Sequence, residues 1–523
     1  MTAAFDLPAR TRPFVVLVAL LQGLALYLAE TGHKAGRWPF DALTGRVCWY
    51  TLVLTVPTLM TLSVLELRDR RFWQHALAAG AIFAVLAWWA ASNAGAPGVD
   101  SSAVLAPFGF TTAVGLFIAL PYLQCRLAYG RWHAPYADLF EHAWQNTLTL
   151  MLTAVFTGIC WAVLALWGEL FGLIGIRFFK TLFREQAFVY LATGTMVGLG
   201  ILIGRTQHRP VRVARQIVFA VFTGLLPLLA AIMLAFVASL PFTGLDALWS
   251  TRSATAILLG VLIVLSVFLN AVFQDGTGDA PYPRWLRRVV DAGLAFSPVY
   301  AALALYALWL RIDQYGWTAE RLWAALLALV LAGHACGYAA AALRGRDRWL
   351  RPLPRVNVAL SLAAIALVLA VNSPVLDPHR VAVRDQLARI RDGRTPVESI
   401  DFEYLRFGAG RIGYEAAQAL RREPALLREP ARLAELESVL KRAQRHVPWQ
   451  SDEELRRTAV TSVADARRLV RPAANAAPLD EAWLRALAAQ QLDLVRCLQP
   501  DRECVALTPD LDRDGVPAHL LCD

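Results

Sequence analysis

Ala254–Phe273, ATAILLGVLIVLSVFLNAVF, runs for 20 residues without an ionisable side chain. As a helix rising 1.5 Å per residue, such a run matches the roughly 30 Å of hydrocarbon in a bilayer. A soluble helix would instead alternate an apolar stripe with a polar face. Outward from it lie ten more stretches of the same character, near 14–29, 47–65, 76–92, 104–123, 146–168, 187–204, 217–239, 289–310, 322–343 and 356–376. Only 18% of the 523 residues are charged, below the quarter or so of a soluble domain. The fold class expected is therefore all-α: a polytopic transmembrane helix bundle of about eleven spans over residues 1–376. Arg10 and Arg12 before the first stretch suggest a signal peptide, but no small-x-small cleavage site leads into a soluble segment, so a retained first helix is expected.

Arginine marks every second connection. Arg68, Arg70 and Arg71 load one; Arg205, Arg209, Arg212 and Arg215 another; then come Arg284, Arg287 and Arg288, and finally Arg344, Arg346, Arg348, Arg351 and Arg355. Counting Lys and Arg in alternate connections gives 19 on one side, N-terminal segment included, and 9 on the other. The richer side is expected to be cytoplasmic, which puts the N-terminus inside and, after an odd number of spans, the C-terminal tail outside. The net charge of +10 is also a mark of nucleic-acid binders, a partner not expected here. It resolves into 28 basic against 17 acidic residues over 1–376 and 23 against 24 over 377–523, so the excess belongs to the loops that orient the bundle.

Several spans contain proline (Pro57, Pro107, Pro227, Pro298), which membrane helices tolerate when neighbours satisfy the freed backbone. Glu169–Arg184, apolar with Arg177, Lys180 and Arg184, reads as an interfacial helix, and Tyr136–Trp144 as a shorter one. No internal repeat of the transporter kind stands out. After Asp377 the composition turns charged and rich in Ala, Arg, Leu and Glu, so residues 377–523 are expected to form a mostly helical periplasmic domain. Asp377-Pro378 is an N-cap and first-turn pair, and Ser451 with Glu454 a capping box.

Candidate sites are sparse. His334 is the one histidine deep in a span and lacks a second intramembrane histidine, so a helix–helix hydrogen bond outweighs metal or haem ligation. Glu66, Asp291 and Asn270 sit toward span ends, and no span offers the midplane carboxylate a proton relay needs. Gly408–Gly413 matches G-x-G-x-x-G, but without further βαβ units it reads as a glycine-rich bend between helices, not a dinucleotide site. Asp510, Asp512 and Asp514 with Gly515 open a calcium loop. Its ninth and twelfth positions are Ala518 and Leu521, so it is a weak calcium candidate beside the reading of a solvated turn. Of seven cysteines, Cys497, Cys504 and Cys522 lie in the tail; an oxidising compartment would pair Cys497 with Cys504 or, alternatively, Cys504 with Cys522. Catalytic residues and cofactors other than calcium have no candidate.

Asp401-Phe402-Glu403-Tyr404-Leu405-Arg406-Phe407 with Gly410, Arg411 and Gly413, and Phe268–Gly276, give the chain its resemblance to a family of polytopic bacterial inner-membrane proteins defined as a domain of unknown function. The resemblance implies a bacterial inner-membrane placement and carries no mechanism. Tyr404, Leu405, Arg406, Phe407, Gly410, Arg411 and Gly413 are read as an interaction motif. Three functions are weighed: a non-enzymatic envelope protein whose periplasmic domain binds a partner, a transporter or channel, and a membrane enzyme acting on lipid or glycan. Besides the lipid bilayer, the expected partner is an envelope protein.

Overall fold

The computed structural model of the protein describes residues 7–97, 99, 101–132, 134–245, 253–278, 280–344 and 349–442, and beyond them 463, 467, 470–472, 479–489, 504–507 and 520–522. The long helices are α1 (Arg12–Lys34), α2 (Leu43–Ser63), α3 (Arg70–Ala94), α4 (Ser102–Tyr129), α5 (Tyr136–Leu173), α7 (Gln186–Thr206), α8 (His208–Thr243), α9 (Ala254–Phe273), α10 (Arg284–Tyr315), α11 (Ala319–Arg344) and α12 (Leu353–Val371), with a short α6 (Phe178–Leu182). Every expected span is thus a helix, and ten of these, among the described residues, are long and apolar enough to cross a membrane. The protein is an integral, multi-pass membrane protein.

The exception is α2, with Arg46, Pro57 and five threonines. Its hydroxyls bond back to their own helix, Thr55 to Thr51 O at 2.7 Å and Thr58 to Leu54 O at 2.7 Å, which lets threonine sit among apolar neighbours. It packs on α1, α3 and α4 like its neighbours, and its C-terminus meets the start of α1 where Thr11 Oγ1 donates to Leu65 O at 3.2 Å.

Two cores organise the bundle. Val15, Leu59, Phe72, Leu120 and Ile201 join α1–α4 and α7; Leu226, Leu262, Leu294, Ala328 and Tyr338 join α8–α11. Helix α12 lies against both α4 and α11, linking the two. Helix α7 carries two small-residue faces: Gly194 and Gly198 pack on Ala19 and Gly23 of α1, while Gly200 and Gly204 pack on Thr153 and Thr149 of α5. A Cβ on Gly194 would lie 2.6 Å from Ala19 O, so the helices touch backbone to backbone. Such close approach drives association where lipid tails remove the hydrophobic incentive.

The prolines stay inside continuous helices, and three of the carbonyls they free find side-chain donors. Pro57 frees Val53 O, which accepts from Gln22 Nε2 of α1 at 2.9 Å. Pro227 frees Thr223 O, which accepts from Tyr282 OH at 2.8 Å, and Pro298 frees Leu294 O, which accepts from Ser297 Oγ at 2.7 Å. Neighbouring groups thus replace the missing N–H, as a water-free setting requires.

The interfacial-helix expectations change form. Tyr136–Trp144 is the first part of α5, whose 38 residues extend for about 57 Å, beyond what a bilayer needs. Glu169–Leu173 is its last turn, followed by α6, tied back by Lys180 to Glu169 at 2.9 Å and by a cluster of Trp167, Phe171, Phe179 and Phe183.

Beyond α12 the chain forms α13 (Pro378–Arg391), a wide helical turn at Tyr404–Gly408, α14 (Gly410–Ala419), α15 (Pro424–Leu427) and α16 (Pro430–Lys441) around Val383, Ile390, Phe402, Leu405, Phe407, Leu420 and Leu436. The chain divides into two compact units, Met1–Lys441 and Arg442–Asp523, so this lobe shares a unit with the spanning helices. In the second unit α17 (Glu481–Ala489) accompanies a three-stranded sheet. There β1 (Val470–Pro472) runs parallel to β2 (Cys504–Leu507), and β3 (Leu520–Cys522) runs antiparallel to β2.

Candidate functional site

Residues 378–422 of the lobe grip one end of the bundle, where α3, α10 and α12 finish and α11 begins. Its first element starts as the sequence predicts: Asp377 Oδ1 accepts from His379 N at 2.8 Å and Arg380 N at 3.2 Å, with Pro378 in the first turn. The second carboxylate oxygen accepts from Trp89 Nε1 of α3 at 2.8 Å, and Arg380 lies over the Trp89 ring at 5.1 Å. One carboxylate therefore caps a helix and joins it to a spanning helix.

Three successive polar positions on α13 take hold of the α10–α11 turn. Asp385 Oδ2 accepts from Trp317 N at 2.8 Å, Gln386 Nε2 donates to Tyr315 O and Trp317 O at 3.1 and 2.9 Å, and Arg389 Nη2 donates to Asp313 O at 2.7 Å. A tight turn leaves helix-end carbonyls and amides without partners, and a cation suits the C-terminal pole of α10. Tyr404 completes the set, its hydroxyl accepting from Ala319 N at 2.9 Å at the start of α11. Burial pushes the Tyr404 phenol up to about 12, although the Ala319 amide favours its ionised form, so the ring stays neutral at ordinary pH.

Asn93, at the end of α3, provides the third grip. Its Oδ1 accepts from Ile412 N at 3.3 Å, capping α14 from another helix. Gly410 makes room for it, with φ +65° and a missing Cβ that would lie 2.7 Å from Asn93 Oδ1. Gly413 is needed for close approach as well, since a Cβ would meet Leu405 O at 2.4 Å. Leu405 and Phe407 fill the lobe core, and Arg406 is buried between the Phe407 and Tyr414 rings. Arg411 points outward and pairs with Glu415 at 2.7 Å. The interaction motif thus resolves into one contact to α11, one backbone fit against α3 and the core of the lobe.

Burial alone would raise the Asp377 carboxyl, but hydrogen bonds from His379, Arg380 N and Trp89 outweigh it and hold the group below its usual value. A carboxylate with a lowered folded value stabilises above the unfolded value near 3.9, and loses that contribution as pH falls through the folded one. Asp377→Ala should therefore cost about 1–3 kcal/mol at pH 7, from the lost cap and the stranded Trp89 N–H. Melting of purified protein at pH 7 and pH 3 checks this: the gap between wild type and variant narrows in acid. An equal gap at both values would count against it.

The opposite end of the bundle carries its own buried polar groups. Arg205 donates to Thr61 O and Val64 O at 2.7 and 2.6 Å, and Gln124 and Asn146 exchange amide bonds at 2.9 and 3.0 Å. Asn270 Nδ2 donates to Tyr338 OH at 2.9 Å, and Asn357 Nδ2 donates to Asn270 Oδ1 at 2.6 Å and Tyr136 OH at 3.1 Å. This ring joins α5, α9, α11 and α12, and gives the Phe268–Gly276 motif a structural role. Of these amides only Asn270 stood out in the sequence; Gln124, Asn146 and Asn357, polar positions in or beside apolar runs, were passed over for charges and histidine. His334 Nδ1 meets Val330 O at 2.9 Å within its own helix, so the expected helix–helix bond is not the one it makes.

Among the described residues two larger cavities open between helices, about 410 Å³ between α3 and α4 and about 700 Å³ between α2 and α4, both walled mostly by apolar side chains. Among the described residues no group of three or more His, Cys, Asp or Glu is placed to hold a metal. Asp510, Asp512, Asp514 and Cys497 lie outside the described residues, as do the Ser451–Glu454 box and the side chains of Cys504 and Cys522.

No curated protein and no solved structure matches the chain. The model of one family, Domain of unknown function (DUF4153), matches residues 51–423, from α2 through the lobe to the end of its grip on the bundle. The match spans over two-thirds of the chain, and the protein belongs to the DUF4153 family.

Proposed function

We propose that this is a non-enzymatic protein of the bacterial inner membrane whose lobe, through residues 378–422, faces the periplasm and binds an envelope partner. One observation carries the reading: Asp377, Asp385, Gln386, Arg389 and Tyr404 all engage the bundle, and together they hold the lobe to α3, α10 and α11. A lobe so fixed presents the outer face of α14, with Arg411, Glu415 and Gln418 exposed, as a rigid surface. Rigid surfaces bind at lower entropic cost than mobile ones. The orientation rests on the arginine pattern. Three of the connections at the lobe's end, 95–101, 316–318 and 372–377, contain no Lys or Arg, and that whole side carries 9 against 19 on the other. The family match ends at residue 423, which favours this lobe over later residues as the working part.

Carriage of a hydrated solute is the weaker reading, because the two cavities offer apolar walls that would not replace a hydration shell. The test has two arms. A reporter active only in the periplasm, fused after Asp523, should be active; activity of a cytoplasmic reporter instead overturns the orientation. A photo-crosslinker at Gln418 should trap one discrete envelope protein in intact cells, and a pattern identical to that from lipid-exposed Leu77 would remove the partner from the proposal.

A further inference from the structure

We propose that the groove between α3 and α4 binds one anionic glycerophospholipid, with its phosphate held between Arg71 and Arg126 and an acyl chain laid along the groove. The polar residues of the groove are not scattered. Arg71, Gln74, His75, Arg126 and Trp132 line one end, and beyond them the walls are apolar as far as Leu86 on α3 and Thr112 on α4. Fifteen positions separate Arg71 from Leu86, about 22 Å of helix. That length accommodates a head group and the ~15 Å of hydrocarbon in one leaflet. The cavity of about 410 Å³ falls within the usual range for bound ligands.

The mouth has the charge an anionic head group needs. Among the described residues neither Arg71 nor Arg126 forms an ion pair, and no acidic side chain lines the groove. The nearest acid in sequence, Asp69, is engaged as the N-cap of α3, accepting from Arg71 N at 2.9 Å. Gly130, just past the end of α4 that carries Arg126, leaves room for the Arg71 guanidinium, since a Cβ there would lie 2.9 Å from Arg71 Nη1. Arg126 sits over the Trp132 ring at 5.4 Å, and His75 lies beside the same ring with its Nδ1 buried and without a protein partner. A phosphate at this mouth gains two guanidinium forks, the preferred geometry for phosphate. A zwitterionic lipid would bring its ammonium group against the same arginines, so the mouth selects for net negative charge. The aromatic Trp132, 60% exposed, stands where indole rings favour the membrane interface.

The test uses the full-length protein in detergent, supplied with phosphatidylglycerol and phosphatidylcholine of identical acyl chains and read by native mass spectrometry. Wild type should retain one phosphatidylglycerol per chain, preferred over phosphatidylcholine by roughly 10–30-fold, the effect of two basic side chains near the surface. R71A/R126A should lose the preference, while R68A/R70A, which removes the same charge outside the groove, should keep it. Ala119→Trp narrows the apolar run and should release the lipid although both arginines remain. Should that variant fail to fold, the two double variants decide between themselves. Equal loss in both would reduce the effect to annular lipid drawn by surface charge, and a wild type holding the two lipids alike would overturn the site outright.

Discussion

Gly194→Leu should separate α1 from α7 and produce a large loss of stability in the first half of the bundle. The atoms nearest to a new Cβ are backbone, Ala19 O at 2.6 Å and Gly23 Cα at 3.2 Å, so no rotamer change relieves the overlap. Overpacking of a core costs about 1–3 kcal/mol where side chains can adjust. Here the helices themselves must move, and a loss at or above the top of that range is expected. Thermal unfolding in detergent, followed by size exclusion, measures it. Gly158→Ala is the control, since nothing lies within 4 Å of a Cβ there and alanine favours a helix. A Gly194→Leu protein that melts with its control would disprove the backbone contact.

Arg389→Ala should loosen the lobe without unfolding the bundle. The guanidinium is 8% exposed and donates to Asp313 O and Gln314 O, the last carbonyls of α10. Losing hydrogen bonds from a charged, buried donor costs about 2–3 kcal/mol. Because opening is local, the sensitive readout is tryptic cleavage at exposed Arg391 and Arg394, which follows the population of the open form. It should quicken roughly 30–150-fold while the midpoint of bundle unfolding shifts little. Unchanged cleavage would mean that Arg389 does not hold the lobe.

Periodicity and charge made the spanning helices legible, because each is a long uniform signal: Ala254–Phe273 needs no partner to be recognised. The same rule undervalues α2, where three of the five threonines, Thr55, Thr58 and Thr61, satisfy themselves by bonding within the helix. Asp377-Pro378 was legible because a cap is local, and the Gly408–Gly413 bend for the same reason. Asn93 was not, because nothing in its surroundings hints that it caps a helix 319 residues further on. Asp401–Phe407 coils because Leu405 and Phe407 must reach one core while Tyr404 reaches α11. The prolines carried half of their meaning in the sequence. That the freed carbonyls had to be satisfied was foreseeable, and Ser297 is a local donor, whereas Gln22 and Tyr282 as donors follow only from packing. The groove at Arg71 and Arg126 was hidden among arginines that looked alike, because spacing along a chain does not show which of them lines a cavity.

The joint between Trp89 and Asp377 also sets an order of events. The two residues stand 288 positions apart, and a chain made at about 5–20 residues per second needs roughly 15–60 s to produce the second after the first. Throughout that interval Trp89 and Asn93 wait at the end of α3 with their partners unmade, and the α10–α11 turn waits likewise once it exists. The clasp can close only on a chain whose later helices already stand in register. Closure is thus the final act of assembly, and a chain cut short before Asp377 would hold every crossing helix yet never complete it.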